Sequence, residues 1–322
     1  LPQKPMFVAA ADYQQLSPIK SGHKMSSWCR QMPTIELKTI FRTSDPELLT
    51  FLRSVRTVQP AKSTIVDFFR DRHLCGSLED AVSFGLRRAE RTGQLFSWLC
   101  VTNPGAEKVN RAALCHLGIT DDDLSRGYPG DINLDSPAIV ARPGVQIRLT
   151  RNLDKDRGFV NGAIGHIHMV LSPCVFAVKL TTGNLVLCHP VHGGDRLFLP
   201  CTYGYATTVR KAQGSSLHQG CLFFDHSYPP ARGYGYVAAS RFKSKAGLFH
   251  YGRIRRTDWL PVGPELDTEQ LLRGPESDDG EAMQEEDDEA LELDANYDDA
   301  GGFFVLGQDE EDHGMGDYES LL

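Results

Sequence analysis

The sequence predicts an α/β fold, a parallel sheet flanked by helices, interrupted by a small β insert and followed by a disordered acidic tail. Three observations predict it. Residues 96–101 form a short aromatic and β-branched strand, and Thr102-Asn103-Pro104 turns it into a helix running through Val109 and Leu114, the strand–loop–helix unit of parallel sheets. Between Pro137 and Pro200 the texture becomes period-two alternation punctuated by turn residues. From Pro264 the composition turns to Asp, Glu and Gly, with too few apolar residues to offset the entropy of ordering the chain.

Taken in order, residues 6–10 read as an apolar strand, which Asp12-Tyr13-Gln14-Gln15-Leu16-Ser17-Pro18 ends as a loop. Ser44-Asp45-Pro46-Glu47 reads as a capping box with an early-turn proline, and Leu48, Leu52 and Val55 supply the helical stripe behind it. In the insert, Val145, Ile147 and Leu149 alternate with Gln146, Arg148 and Thr150. Asn161-Gly162 then predicts a turn into a strand over 164–171, and residues 175–180, Gly183 and 185–187 predict a hairpin. The insert therefore reads as a small barrel. Residues 205–209 and 221–225 are strand-like again and return the chain to the α/β unit.

The 322 residues and 41% hydrophobic content allow two or three domains with real cores. The net charge of -8 conceals a split: 22 acids against one base from Glu265 onward, so a tail of -21 follows a body of +13. Such asymmetry points to polyanion binding by the body. The eight cysteines form no CxxC pair and no Cys/His cluster at zinc spacing, which predicts reduced, buried thiols in an intracellular protein and no metal site. No apolar run is long enough to span a bilayer. With no initiator Met, and Leu1 leading straight into an apolar segment, the chain is expected to begin inside a longer protein.

Two stretches name a family. Tyr205-Ala206-Thr207-Thr208-Val209-Arg210-Lys211-Ala212-Gln213-Gly214-Ser215-Ser216-Leu217, followed by Tyr236-Val237-Ala238-Ala239-Ser240-Arg241, resembles motifs V and VI of superfamily 1 helicases of the Pif-type and RecD-like kind. Upstream, residues 12–18 resemble motif III, with Ala11 in the usual Gly place, and residues 37–42, ending Phe41-Arg42, resemble motif IV. Leu149-Thr150-Arg151-Asn152-Leu153 and Gly158-Phe159-Val160-Asn161-Gly162 are similar to the SH3-like segment that these helicases carry inside their second RecA-like domain. The resemblance covers about residues 6–260 and omits the tail.

It implies a RecA-like P-loop helicase domain with an inserted SH3-like β-barrel. The boundaries it suggests are the end of a first RecA-like domain over 1–60, the start of a second over 61–136, the insert over 137–200, the rest of the second domain over 201–263, and the tail over 264–322. It implies ATP and Mg²⁺ as cofactors and single-stranded DNA as partner, with movement 5′ to 3′ and a nuclear or mitochondrial address. Arg42 and Arg241 fall where the family stabilises charge on the transferred phosphate, work that suits a planar, always protonated guanidinium. Gln15 falls where the γ-phosphate or attacking water is read. Lys211, Gln213 and Gly214 would join that site to the strand, with Gly214 allowing close backbone approach. On the nucleic-acid side stand Arg151, Asn152, Asn161, Thr208, Lys211 and Ser215, in a body whose bases are interleaved with rings such as Phe159 and Phe242. Contact to phosphates rather than base edges is the expected mode.

The chain departs from the family in several places. No GxxxxGK[ST] occurs, nor a carboxylate pair recognisable as motif II, so these are expected upstream and this chain by itself is expected not to hydrolyse ATP. Arg210 stands where His is usual, Ala212 where a Ser commonly donates a hydrogen bond, and Ala239 where motif VI has Leu. Two other functions stay open: a non-catalytic nucleic-acid-binding module, and a helicase directed to RNA. For the tail, a solubilising role stands beside a sharper one, in which the acids of 278–288 mimic a nucleic-acid backbone in the basic groove, anchored by Phe303-Phe304-Val305-Leu306.

Overall fold

A computed structural model describes residues 41–134, 136–226 and 232–261. The strand expected over 6–10, the loop carrying Gln15 and the acidic tail lie outside them.

Among the described residues, twelve strands and six α-helices follow in chain order. Helices α1 (Pro46–Thr57) and α2 (Lys62–Phe69) precede a two-residue strand β1 (His73–Leu74), then α3 (Leu78–Thr92), β2 (Phe96–Cys100), α4 (Asn103–His116) and α5 (Asp121–Ser125). A β-rich stretch holds β3 (Gln146–Leu149), β4 (Ile164–Ser172), β5 (Val175–Leu180), β6 (Leu185–Cys188), β7 (Val191–Gly193), β8 (Arg196–Phe198) and β9 (Cys201–Tyr203). The last described stretch holds β10 (Ala206–Thr208), β11 (Gln219–Phe223), α6 (Tyr234–Ala239) and β12 (Leu248–Tyr251).

One sheet is wholly parallel, in the order β1-β12-β11-β2-β10. A parallel sheet is covered on both faces and reads as a continuous apolar run, and all five residues of β2, Phe-Ser-Trp-Leu-Cys, are buried. Side chains alternate between two cores. Phe96, Trp98 and Cys100 join the α3, α4 and insert side, whereas Leu99 joins α1, α2, α6 and Trp259 on the other. Residues 46–57 thus share one core with the sheet.

The β2-to-α4 unit forms as the sequence predicts, with Thr102 as N-cap accepting from the Gly105 amide at 3.0 Å. At α1 the expected capping box does not form. Asp45 rather than Ser44 is the N-cap, accepting from Glu47 N at 2.9 Å and Leu48 N at 3.1 Å. A carboxylate beside a proline at the first helical position caps without a reciprocal partner. Its second oxygen accepts from Lys245 N at 2.8 Å, and Glu47 instead takes the Lys245 ammonium at 2.7 Å. Helix α3 begins with a true capping box, Ser77 with Asp80, and ends on Gly93 at φ 65°.

The second sheet is antiparallel, ordered β6-β5-β4-β3-β9, and lies in sequence between α5 and β10. Its two edges approach each other: Cys188 on β6 and Cys201 on β9 place their buried sulfurs 3.9 Å apart. Gln146 and Thr150, expected on the outward face, are buried. Gln146 donates to the Gly204 carbonyl at 2.8 Å and Thr150 to Asp131 at 2.6 Å, so hydrogen bonds offset their desolvation. One tyrosine ties β3 to the stretch leading into β10, and a second holds the segment ahead of β3 to β9. Tyr205 Oη accepts from Gln146 N at 2.9 Å, and Tyr203 Oη accepts from Val140 N at 3.0 Å while donating to the Ala138 carbonyl at 2.9 Å.

Candidate functional site

The residues after β10 build the first half of the site. Val209 N donates to the Cys100 carbonyl at 2.9 Å, extending the pairing with β2 by one bond. The chain then turns tightly, Ala212 N donating to Thr208 O at 3.0 Å and Ser215 Oγ to Ala212 O at 2.6 Å. Ser215 is therefore engaged in the turn. Gly214 has φ +86°, and a Cβ built on it meets nothing within 4 Å. Within the chain it is the left-handed backbone that calls for glycine there.

Lys211 reaches across to the start of α4, its ammonium donating to Asn103 Oδ1 at 3.0 Å. Arg148 comes from β3 to the same place and donates to the Ala206 carbonyl at 3.2 Å. Burial pushes the Arg148 guanidinium down to about 10, and burial followed by the Arg148 charge lowers the Lys211 ammonium. Two cations and the buried Thr208 hydroxyl thus gather at the C-terminal ends of β2 and β10, where parallel α/β sheets bind ligands. Sequence reasoning missed Asn103; its signal was the Thr-Asn-Pro at a helix start directly after a buried strand.

The second half joins segments far apart in the chain. Arg42 donates from Nε to Ser216 Oγ at 3.1 Å and from Nη1 to the Ser240 carbonyl at 2.9 Å. Thr43 Oγ1 donates to Lys243 O at 2.6 Å. Leu217 N donates to Arg241 O at 2.8 Å and Lys243 N to Leu217 O at 3.0 Å, so the stretches matching motifs IV, V and VI are stitched side by side. Arg241 itself is only 2% exposed. Its Nε donates to Val237 O at 3.0 Å and its Nη2 to Ser240 Oγ at 2.9 Å, folding the guanidinium back over the end of α6. Arg210 donates to Tyr234 Oη at 3.0 Å and lies over that ring, tying the turn after β10 to α6. Gln213 is exposed on the same turn.

The remaining predicted residues sit in the insert. Arg151 pairs with buried Asp131, Nε to Oδ2 at 3.2 Å and Nη2 to Oδ1 at 3.3 Å, and its guanidinium lies 5.3 Å from the Phe198 ring centre. Asn152 Oδ1 accepts from Asn161 N at 2.9 Å, closing one loop on the other. The structure brings Arg42 and Arg241 together, and separately Thr208 with Lys211. Gln15 lies outside the described residues. Among the described residues no three His, Cys, Asp or Glu side chains form a group able to hold a metal ion, and no helix is long and apolar enough to cross a membrane.

No protein-family model matches the chain. A Danio rerio protein named ATP-dependent DNA helicase PIF1 is 25% identical over 281 residues, covering 75% of this chain and 40% of the relative. The chain thus spans well under half the length of that relative. Among solved structures, the Pif1 helicase from Candida albicans superposes with a TM-score of 0.55 at 20% identity, over 78% of this chain and 64% of that one. The Bacteroides Pif1 helicase in complex with ADP-AlF3 and ssDNA superposes with a TM-score of 0.51 at 18% identity, over 69% and 53%. The parallel-sheet core is the architecture shared with these structures, in keeping with a RecA-like domain. The relatives found by sequence are named PIF1 helicases, which bears out the resemblance to Pif-type helicases, and the fold is shared with Pif1 helicase structures.

Proposed function

We propose that the chain is the C-terminal portion of an ATP-dependent DNA helicase that couples ATP hydrolysis to movement along single-stranded DNA and to duplex unwinding, 5′ to 3′. The observation that carries the reading is the meeting of Arg42 with the motif VI segment across 198 residues of sequence. The relatives named ATP-dependent DNA helicase support it. ATP supplies the transferable phosphoryl group and Mg²⁺ its counter-charge. The residues present fit one half of such a site: Arg42 and Arg241 as fixed cations, with Lys211, Gln213 and Gly214 on the turn that links them to the strand groove and Gln15 completing the reading of the γ-phosphate. The phosphate-cradling loop and the Mg²⁺-binding carboxylates belong to sequence outside this chain.

In this reading the rolled antiparallel insert is the SH3-like barrel. Lys211, Arg148, Thr208, Ser215 and the Arg151, Asn152 and Asn161 loops face the strand backbone. Helix α1 shares the core of the parallel sheet, which supports a second RecA-like domain that takes in residues 46–57. The tail contacts the basic groove, and a nuclear or mitochondrial address goes with the family.

The test uses the complete protein. Single-stranded DNA should stimulate its ATP hydrolysis, and Arg42→Ala should lower turnover at least about 1,000-fold, the scale for removing a phosphoryl-transfer arginine, with strand binding kept. Undiminished turnover removes Arg42 from the site. One observation favours a second reading: Arg241 is buried against its own helix, and Ala212 lacks the usual donor. A remnant that binds strands without turnover would then show salt-sensitive binding and no ATPase activity in the complete protein.

A further inference from the structure

The outer face of the insert carries an apolar patch for which the helicase reading has no use. Across β4, β5 and β6 the register aligns Met169 with Ala177 and Ala177 with Leu187; one rank away it aligns His166 with Lys179 and Lys179 with Leu185. Cross-strand partners share a face, and the alternate residues Ile167, Phe176, Val178 and Val186 are buried beneath it. Met169, Leu185, Leu187 and, at the irregularity in β4, Leu171 are each between 48% and 59% exposed. One exposed Leu is ordinary; Met169, Leu185 and Leu187 grouped on one sheet face, with Leu171 exposed at the β4 irregularity, mark an interaction site.

Charge and chain length identify the occupant. No carboxylate occurs between Asp156 and Asp195, while Lys179 lies within the patch. Arg157 lies beside the tip of the β5–β6 hairpin, its carbonyl accepting from Asn184 at 3.1 Å and its guanidinium 3.6 Å from Asp154. The matching element is Phe303-Phe304-Val305-Leu306. It is a compact apolar run bracketed by Asp294, Asp298 and Asp299 on one side and by Asp309, Glu310, Glu311 and Asp312 on the other. We infer that this segment of the chain docks on the outer face of the insert, its apolar side chains covering Met169 and Leu187 and its flanking carboxylates facing Lys179 and Arg157.

Residues 262–302, 41 in number, join the segment to the last described residue. The root-mean-square span of 41 residues at random-coil dimensions is about 35 Å, comparable to the width of a folded unit of this size. Docking within one chain therefore proceeds at an effective concentration on the order of millimolar, so a modest patch suffices. The inference requires neither nucleotide nor nucleic acid, and it stands or falls apart from the helicase reading.

Met169 provides the test, because a covered thioether resists oxidation to the sulfoxide by peroxide. In the full chain, Phe303→Ser with Phe304→Ser should speed Met169 oxidation about fivefold or more, read by mass spectrometry, with the rate independent of protein concentration. An unchanged rate overturns the inference. So does protection that vanishes on dilution, which would assign the patch to a second copy of the chain. As a second measurement, benzoylphenylalanine at position 304 should cross-link within its own chain to the peptide carrying Leu185 and Leu187, and Leu187→Asp should abolish the product. Cross-links to any other region overturn the inference equally. A circular-dichroism melt of the Phe303→Ser, Phe304→Ser chain that matches the parent separates the expected result from loss of folding.

Discussion

Arg42 and Arg241 grip the same residue: Arg42 donates to the Ser240 carbonyl at 2.9 Å, and Arg241 donates to the Ser240 hydroxyl at 2.9 Å. Arg42 comes from the stretch ahead of α1, and Arg241 closes α6. One serine thus joins two arginines that the chain carries on separate elements. The fork geometry of Arg42, which also reaches Ser216, is what a lysine cannot reproduce. Arg42→Lys and Arg42→Ala should each destabilise the chain by roughly 1.5–3 kcal/mol, the scale of hydrogen bonds to a charged group. Urea unfolding measures this, and a loss confined to the Ala variant would mean that charge alone matters.

A second prediction concerns the start of α4. Asp225, just past β11, accepts from Val101 N at 2.8 Å, from Thr102 N at 3.2 Å and from the Thr102 hydroxyl. Its carboxylate lies where a Cβ on Gly105 would stand. Helix propensity favours Gly105→Ala by roughly 1 kcal/mol; the overlap opposes it. We expect a net loss of about 2 kcal/mol, typical of overpacking. A raised thermal midpoint for Gly105→Ala would show that the carboxylate yields freely.

The histidine at 250 sets a pH limit. It is fully buried in β12, its ring 5.3 Å from Phe69 and 5.7 Å from Phe224, and neither ring nitrogen has a hydrogen-bond partner. Burial, then the neighbouring charges of His73 and Arg255, hold its pKa well below 6.5. The unfolded chain therefore takes up the proton more readily than the folded one. Stability is full above the unfolded value and declines as pH falls through and below about 6.5. Urea midpoints at pH 7.5 and 5.5 should differ less for His250→Phe than for the parent, with His73, shifted in the same direction by burial, accounting for part of the remaining slope.

Thiol chemistry checks the packing of both sheets. Cys75 and Cys115 are exposed, whereas Cys100, Cys188, Cys201 and Cys221 are buried. Burial raises the Cys100 and Cys221 thiols well above their usual range; the Cys188 contact, then burial, does so for Cys201. Because the thiolate is the reactive form, a disulfide reagent at pH 8 should label Cys75 and Cys115 within minutes, and the four buried thiols only after unfolding. Rapid labelling of Cys188 or Cys201 would mean that the edges of the antiparallel sheet part in solution.

Much of this was legible beforehand because it is local. The β2-to-α4 unit follows from a buried apolar run, a Thr cap and a proline, all within a few residues. The β5–β6 hairpin follows from alternation around Gly183, which adopts φ 90°. Other features were less legible. Strand β1 is two residues long and pairs with β12 from far along the chain, so it leaves no period to detect. The choice of Asp45 over Ser44 as cap depends on Lys245, 200 residues away.

The sequence by itself determined the alternation of parallel α/β unit and β insert, the charge split between body and tail, and the ordered motif segments that mark its relatives. Periodicity, turn chemistry and composition are properties of neighbouring residues and survive without a fold. Only the tertiary structure decided that Arg42 lies against Ser240, that Arg241 is turned inward, that Lys211 meets Asn103 and Arg148, and that four apolar side chains of the insert face outward. Such contacts depend on the order in which distant strands pair and on which side of a sheet each side chain falls, and no window of adjacent residues contains that information.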